Sequence, residues 1–211
     1  MIKINRLLFE NLNTYEPGGV AGVYEIPVTK VSHEIEKDVT FVGFNEAKTI
    51  KTGQGKAVHF FIDDYRFNCV WTTPDKYIAA LRRFDAVCAP DFSIYTDMPV
   101  ALQIYNHYRK HWCTAYWQYL GINVIPTISW ADERSFNWCF DGEPERSTVA
   151  ISTVGTQKSP ADKRRFLAGF NEMVSRLKPR KILCYGRIPD EIAPQVTPIG
   201  CFYDKFKKGV T

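Results

Sequence analysis

From residue 41 onward, short apolar runs alternate with longer stretches in which apolar residues return every three or four positions. FVGF (41–44), VHFFI (58–62), AVCA (86–89), NVIPTIS (123–129), TVAIST (148–153), KILCY (181–185) and TPIGCFY (197–203) read as strands. Their apolar character is nearly continuous rather than alternating, as expected when both faces of a parallel sheet are covered.

The intervening segments carry helix signals. In TTPDKYIAALRRF, Thr73 is placed to cap, Pro74 suits the first helical turn, and Tyr77, Ile78, Leu81 and Phe84 form one stripe. The same grammar recurs in SPADKRRFLAGFNEMVSRLKP, where Ser159 caps, Pro160 follows, and Phe166, Leu167, Phe170, Met173, Val174 and Leu177 share a face as far as Pro179. A long helix over 99–120 is predicted to bury Ala101, Ile104, Tyr105, Tyr108, Trp112, Ala115, Tyr116 and Tyr119 before Gly121 stops it. A shorter one runs over 132–140 to Gly142.

Strand and helix in alternation, joined by right-handed crossovers, predict an α/β fold with a mostly parallel sheet of six to seven strands. A reduced (β/α) barrel and an open doubly wound sheet both satisfy the pattern, which falls short of the eight strands of a full barrel. The 211 residues suit a single α/β domain over 1–211. Residues 1–40 read as an irregular extension packed on it: YEPGGVAG (15–22) is a turn signal, and EIPVTKV is an extended segment suited to closing one end of the sheet.

Composition narrows the class. With 45% hydrophobic and 24% charged residues the chain is not a disordered one. No apolar run approaches the roughly 18 to 20 residues that span a bilayer, and MIKINRLLFENLN lacks a signal-peptide core, so a cytoplasmic protein without a membrane partner is expected. The six cysteines are spread singly, with no CxxC pair, and read as reduced, mostly buried thiols. Net charge is +4, but residues 156–211 hold 12 Lys or Arg against 5 Asp or Glu. That basic quarter makes nucleic-acid contact an alternative reading.

In parallel α/β folds, ligands bind beyond the carboxyl ends of the strands. Each predicted strand ends in polar residues: Asn45 and Glu46; Asp63, Asp64 and Arg66; Asp91 and Ser93; Ser129, Trp130 and Asp132; Ser152, Thr153 and Gly155; Tyr185, Gly186 and Arg187. Asp63, Asp64 and Asp91 are therefore candidate catalytic carboxylates, able to hold a divalent metal ion or act as a general base. Arg66 and Arg187 are candidate anion clamps, Trp130 and Tyr185 stacking walls, and Ser93, Ser129, Asp132, Ser152, Thr153 and Gly186 further ligand contacts.

The structural alternative is that Asp, Ser and Thr after a strand cap the next helix, as Asp132 and Ser129 are placed to do. His107 and His111 stand four apart, a spacing that can share a metal, but with Gln103, Lys110, Thr114 and Gln118 they read as a solvated face lacking a third ligand. His59 reads as a satisfied interior or half-buried residue of its strand. No phosphate loop, dinucleotide fingerprint or nucleophile elbow is present, and Gly53-Gln54-Gly55 is most simply a turn.

HFFIDDYRF, APDFSIYTDMP, GINVIPTISWAD, FNWCFDG, VAISTVG and ILCYG, in that order, together resemble an uncharacterised domain-of-unknown-function family of phages, plasmids, integrative elements and their bacterial hosts. The resemblance covers nearly the full length from FVGFNEAKT onward. It implies a mobile-element context and supplies no reaction. The expected function is thus that of an accessory protein binding a small phosphorylated or nucleotide-like ligand at the strand ends, with metal-assisted hydrolysis or transfer as the enzymatic form. The alternative is a non-enzymatic binder of nucleic acid or a host protein.

Overall fold

The computed structural model describes residues 18–35 and 39–199. Two short strands, β1 (Val20–Ala21) and β2 (Ile26–Pro27), pair antiparallel. The rest is parallel. β3 (Thr40–Gly43), β4 (Gly53–His59), β5 (Phe84–Cys88) and β6 (Val124–Ile125) make a four-stranded sheet, and β7 (Thr148–Ser152), β8 (Lys181–Tyr185) and β9 (Thr197–Ile199) a three-stranded one, both in chain order.

One sheet of six to seven strands was the expectation; two sheets meeting at a single Thr127–Ala150 bridge are found. Pro126 explains the gap. Ala150 N donates to Pro126 O (2.8 Å) and Ile128 N to Ala150 O (2.9 Å), but the next bond of that ladder needs an amide at position 126, which proline lacks. The carbonyl it would have reached, Thr148 O, instead accepts from the hydroxyls of Ser147 (3.0 Å) and Ser32 (3.3 Å). β9 does not pair with β3 among the described residues, so the strands do not close into a barrel there.

Helices cover the outer faces. They are α1 (Phe44–Ala47), α2 (Cys69–Thr72), α3 (Ile78–Leu81), α4 (Val100–Tyr119) and α5 (Pro160–Leu177). Ser159 caps α5 as its sequence predicts, accepting from Asp162 N at 3.1 Å. Thr73 does not cap: its hydroxyl donates to Cys69 O (2.9 Å) at the end of α2, and Pro74–Tyr77 is a 3-10 turn leading into the short α3. The helix predicted over 132–140 is likewise a 3-10 stretch, Glu133–Asn137, with Asp132 as its cap.

The strand side chains divide between faces as a pleat requires. Val58, Val87 and Val124 join Trp112 and Trp117 of α4; Val149, Ile151, Ile182 and Cys184 join Phe166, Phe170 and Met173 of α5. The opposite side chains of both sheets, Ala57, Ala86, Cys88, Ile125, Ala150, Leu183 and Tyr185, form a single third cluster. The described cysteines, Cys69, Cys88, Cys113, Cys139 and Cys184, are all free; Cys201, with 200–203 of the last predicted strand and 15–17 of the first turn, lies outside the described residues.

α4 departs most from its predicted packing. Ala101, Tyr105 and Tyr119 are exposed, while Gln103, His107, Lys110, His111 and Thr114, expected to face water, are buried. Part of the cover comes from EIPVTKV, which lies along α4 rather than closing a sheet end, and part from residues 138–143. The Gln118 amide accepts from Lys30 N and donates to Lys30 O, both at 2.8 Å, and Asn123 just beyond α4 accepts from His33 N at 2.9 Å.

The β4–β5 register sets a testable constraint. A Cβ on Gly53 would lie 2.4 Å from Arg83 O and 2.8 Å from Phe84 Cα, both backbone atoms that move only with the strand. Gly53→Ala is expected to cost about 1 to 3 kcal/mol as overpacking, read as a lower urea midpoint with an unchanged slope. Gly19→Ala, with nothing within 4 Å, should leave the midpoint where it is.

Candidate functional site

All seven parallel strands deliver residues to one open cleft of about 1260 Å³ at their carboxyl ends. Its lining includes Gly43, Asn45 and Glu46 after β3, His59 and Phe61 at the end of β4, Asp91 and Ser93 after β5, and Ser129 and Trp130 after β6. Ser152, Tyr185 and Ile199 represent β7 to β9. The loop into α5 and its first turns add Gly155, Lys158, Asp162 and Arg165.

Asp91 sits where β5 leaves the core. Burial of its carboxyl pushes it up to about 7; the positive charge of Lys110 opposes the rise and Asp64 adds to it. The residue is half-buried in the cleft lining, so a group that holds a proton near neutrality still faces the cleft.

The other two acids are engaged. Asp64 opens the 3-10 turn Asp64–Arg66 and accepts from Ser93 N (3.1 Å) and Ser93 Oγ (2.7 Å), with the Arg109 guanidinium 3.7 Å away. Arg109 in turn stacks on Phe92, 3.7 Å from the ring centre, and donates to Asn68 Oδ1 at 2.7 Å. Asp64 therefore fixes the loop after β5, and does not line the cleft. Asp63, 68% exposed in its side chain, lies 3.4 Å from Arg66 at the mouth.

Tyr185 and Trp130 line the cleft but are packed rather than free. Tyr185 stacks on Phe61 (5.0 Å) and lies 4.7 Å from His59, making an aromatic floor; Phe61 N donates to His59 Nδ1 at 3.2 Å. Trp130 lies against Phe166 and directly over Gly169, whose missing side chain makes its place. Ser129 Oγ is enclosed with no hydrogen-bond partner. Ser152 Oγ accepts from Val154 N (3.2 Å), and Thr153 Oγ1 donates to Tyr185 O (3.2 Å).

Thr153, Gly186, Arg187 and Asp132 stand outside the cleft lining. Gly186, at φ 106°, passes so close to Thr153 that a Cβ would lie 2.5 Å from its hydroxyl. Arg187 is exposed, and its carbonyl accepts from Gln157 Nε2 at 2.6 Å. Asp132 is tied to Arg134 at 2.7 Å; that hydrogen bond, against a smaller desolvation, holds its carboxyl below its usual range. Capping, the structural alternative, is its role.

Behind the cleft lies a second assembly. Lys110 Nζ donates to Thr127 O (2.9 Å) and Glu143 Oε1 (2.7 Å), and His111 Nε2 lies 3.0 Å from the same oxygen. Burial alone pushes the Glu143 carboxyl up, but Lys110 and His111 outweigh it and hold it below its ordinary range. His107 packs 4.4 Å from His111; burial first, then the charges of His111 and Lys110, keep it well below the usual imidazole value. His107, His111 and Glu143 offer ligand atoms all within 4.8 Å of one another and could hold a metal ion. The solvated-face reading of this stripe is thus corrected. Glu143, the third group, comes from 32 residues further along, beside the φ 75° turn at Gly142.

Comparison with known proteins agrees with the sequence resemblance. Residues 19–203 match the model of the domain of unknown function DUF4417. The chain is 37% identical over 206 residues to the Gene 1 protein of Mycobacterium phage D29, covering 96% of this chain and 76% of that one. The Gene 1 protein of Mycobacterium phage L5 is also 37% identical over 206 residues, 96% and 90% of the two chains. No solved structure matches. With the match running from β1 past β9, the chain belongs to the DUF4417 family of phage-associated proteins of unknown function.

Proposed function

We propose that this protein binds a small phosphorylated or nucleotide-like ligand in the strand-end cleft. The observation that carries the reading is the presence of Arg66, Lys158 and Arg165 in a cleft lining rich in hydroxyls, the last two at the amino end of α5. Backbone amides at a helix start and the aligned peptide dipoles favour an anion there, and arginine adds two-pronged donors. No carboxylate lies within ion-pair distance of Lys158 among the described residues, whereas Arg165 is 3.1 Å from Asp162. The aromatic floor of Tyr185, Phe61 and His59 suits the less polar part of such a ligand.

In its enzymatic form the reading assigns proton transfer to Asp91. A group whose pKa lies near the working pH is suited to give and take a proton in a hydrolysis or transfer step. Asp63 and Asp64 do not share that role, being held by Arg66 and by Ser93. The phage relatives are consistent with a mobile-element accessory protein, and their names assign no reaction. Nucleic acid is the weaker reading, because three of the four cations of α5 are engaged: Lys163 with Glu191 at 2.8 Å, Arg165 with Asp162, and Arg176 with Glu172.

The cleft is tested by thermal shift against inorganic phosphate, nucleotides and sugar phosphates. Ligand at about 100 times its Kd should stabilise by about 2.7 kcal/mol. Combined Lys158→Ala and Arg165→Ala should abolish the shift while leaving the ligand-free midpoint unchanged. A shift that survives both changes, or none with any phosphate, overturns the reading and directs the search to a macromolecular partner.

Asp91 makes a separate pH prediction. Its folded pKa of about 7 lies above the unfolded value near 3.9, so between those values the native state binds more protons than the unfolded state. Stability from this group is therefore present below about pH 4 and is lost as pH rises towards 7. Asp91→Asn, permanently neutral, should flatten that decline, and urea unfolding at pH 5 and pH 8 should show the variant gaining on the wild type at the higher pH.

A further inference from the structure

We propose that His107, His111 and Glu143 form a site for a single divalent transition-metal ion of the zinc class, independent of the ligand cleft. Hydrogen counting leads to it. His111 Nδ1 lies 2.8 Å from Pro27 O, a pure acceptor, so this nitrogen carries a hydrogen and the lone pair of a neutral ring falls on Nε2. That lone pair faces Glu143 Oε1 at 3.0 Å. Two acceptors at this separation require a positive centre between them, either a proton or a metal ion.

His107 decides between the two. Its Nε2 lies 3.1 Å from Asp141 O and donates to it, leaving the lone pair on Nδ1. That nitrogen is buried, in a residue 0% exposed, and has no hydrogen-bond partner. A proton on His111 would satisfy the Glu143 contact and leave His107 Nδ1 orphaned, at the cost that accompanies any buried unpaired polar atom. One metal ion satisfies both.

The surroundings are those of a ligand set held from outside. Each imidazole gives its other N–H to a main-chain carbonyl, and the carboxylate accepts from Lys110, the arrangement that orients metal-binding side chains. Tetrahedral ligands about 2.0 to 2.2 Å from zinc stand roughly 3.3 Å apart. The His111–Glu143 separation of 3.0 Å is already close to that, and the ligand atoms of all three residues lie within 4.8 Å of one another. Two imidazoles and one carboxylate suit zinc or a neighbouring first-row ion rather than calcium or magnesium.

The full chain is purified without a metal-affinity step and its metal content measured by mass spectrometry. It is then unfolded in urea with a chelator and refolded with and without Zn²⁺. One equivalent of a first-row ion, and a melting midpoint several degrees higher after refolding with Zn²⁺, are expected. His107→Phe keeps a ring against Trp138 but has no lone pair. It should fold, bind no ion, and melt at the same temperature with or without Zn²⁺. Refolding with Co²⁺ should give visible absorption in the wild type and none in the variant. Metal-free protein that melts identically after both refoldings, or a His107→Phe protein that keeps its full equivalent, overturns the site.

Discussion

A carboxylate that is 1% exposed has to be neutralised where it stands, and Glu143 sets that demand at the centre of this protein. Breaking such a buried pair costs several kcal/mol because the remaining charge has nowhere to go. The groups that answer it come from distant parts of the chain: Lys110 and His111 from α4, Pro27 through His111, and Thr127 through Lys110. One acid therefore locks the N-terminal segment, the long helix and the β6–β7 junction into a single arrangement. Lys110 extends the lock forward, since its charge also acts on Asp91 in the cleft.

The cleft has a corresponding division between holding and facing. Asp64, Arg109 and Asn68 fix the loop after β5, Gly169 makes room for Trp130, and Thr153 ties the end of β7 to the end of β8. The groups lining the open volume include Asp91, Arg66, Lys158 and Arg165, the carboxylates of Glu46, Asp63, Asp97 and Asp162, and several hydroxyls. Rigid strands position these residues, as suits a site whose geometry has to be set before the ligand arrives.

Much of this was readable from the sequence. The succession of parallel strands along the chain, the Ser159-capped α5 and the placing of polar residues at strand ends followed from runs of apolar residues and from proline and serine at helix starts. Eight of the thirteen expected site residues line the cleft: Asp63, Asp91, Arg66, Ser93, Ser129, Trp130, Ser152 and Tyr185. Lys158 and Arg165 were missed as cleft residues, because position on a loop or in the opening turns of a helix carries no periodic signal. The buried polar face of α4 was missed for another reason: periodicity reveals a polar stripe but not what covers it. A signal was present all the same. Val100–Tyr119 carries only two charged residues, Arg109 and Lys110, and no acid, too few for a face turned to water.

The thiols carry a last consequence. Cys88, Cys113, Cys139 and Cys184 are buried, and loss of water drives each thiol up from its ordinary value, away from the reactive anion. Only Cys69 among the described cysteines is partly open to solvent. Among the described cysteines, oxidants and alkylating reagents thus meet few targets in the folded state, and an excursion that parts the sheets from α4 or α5 uncovers several at once. Thiol labelling of the native protein becomes a clock for its own opening, with no engineered probe required.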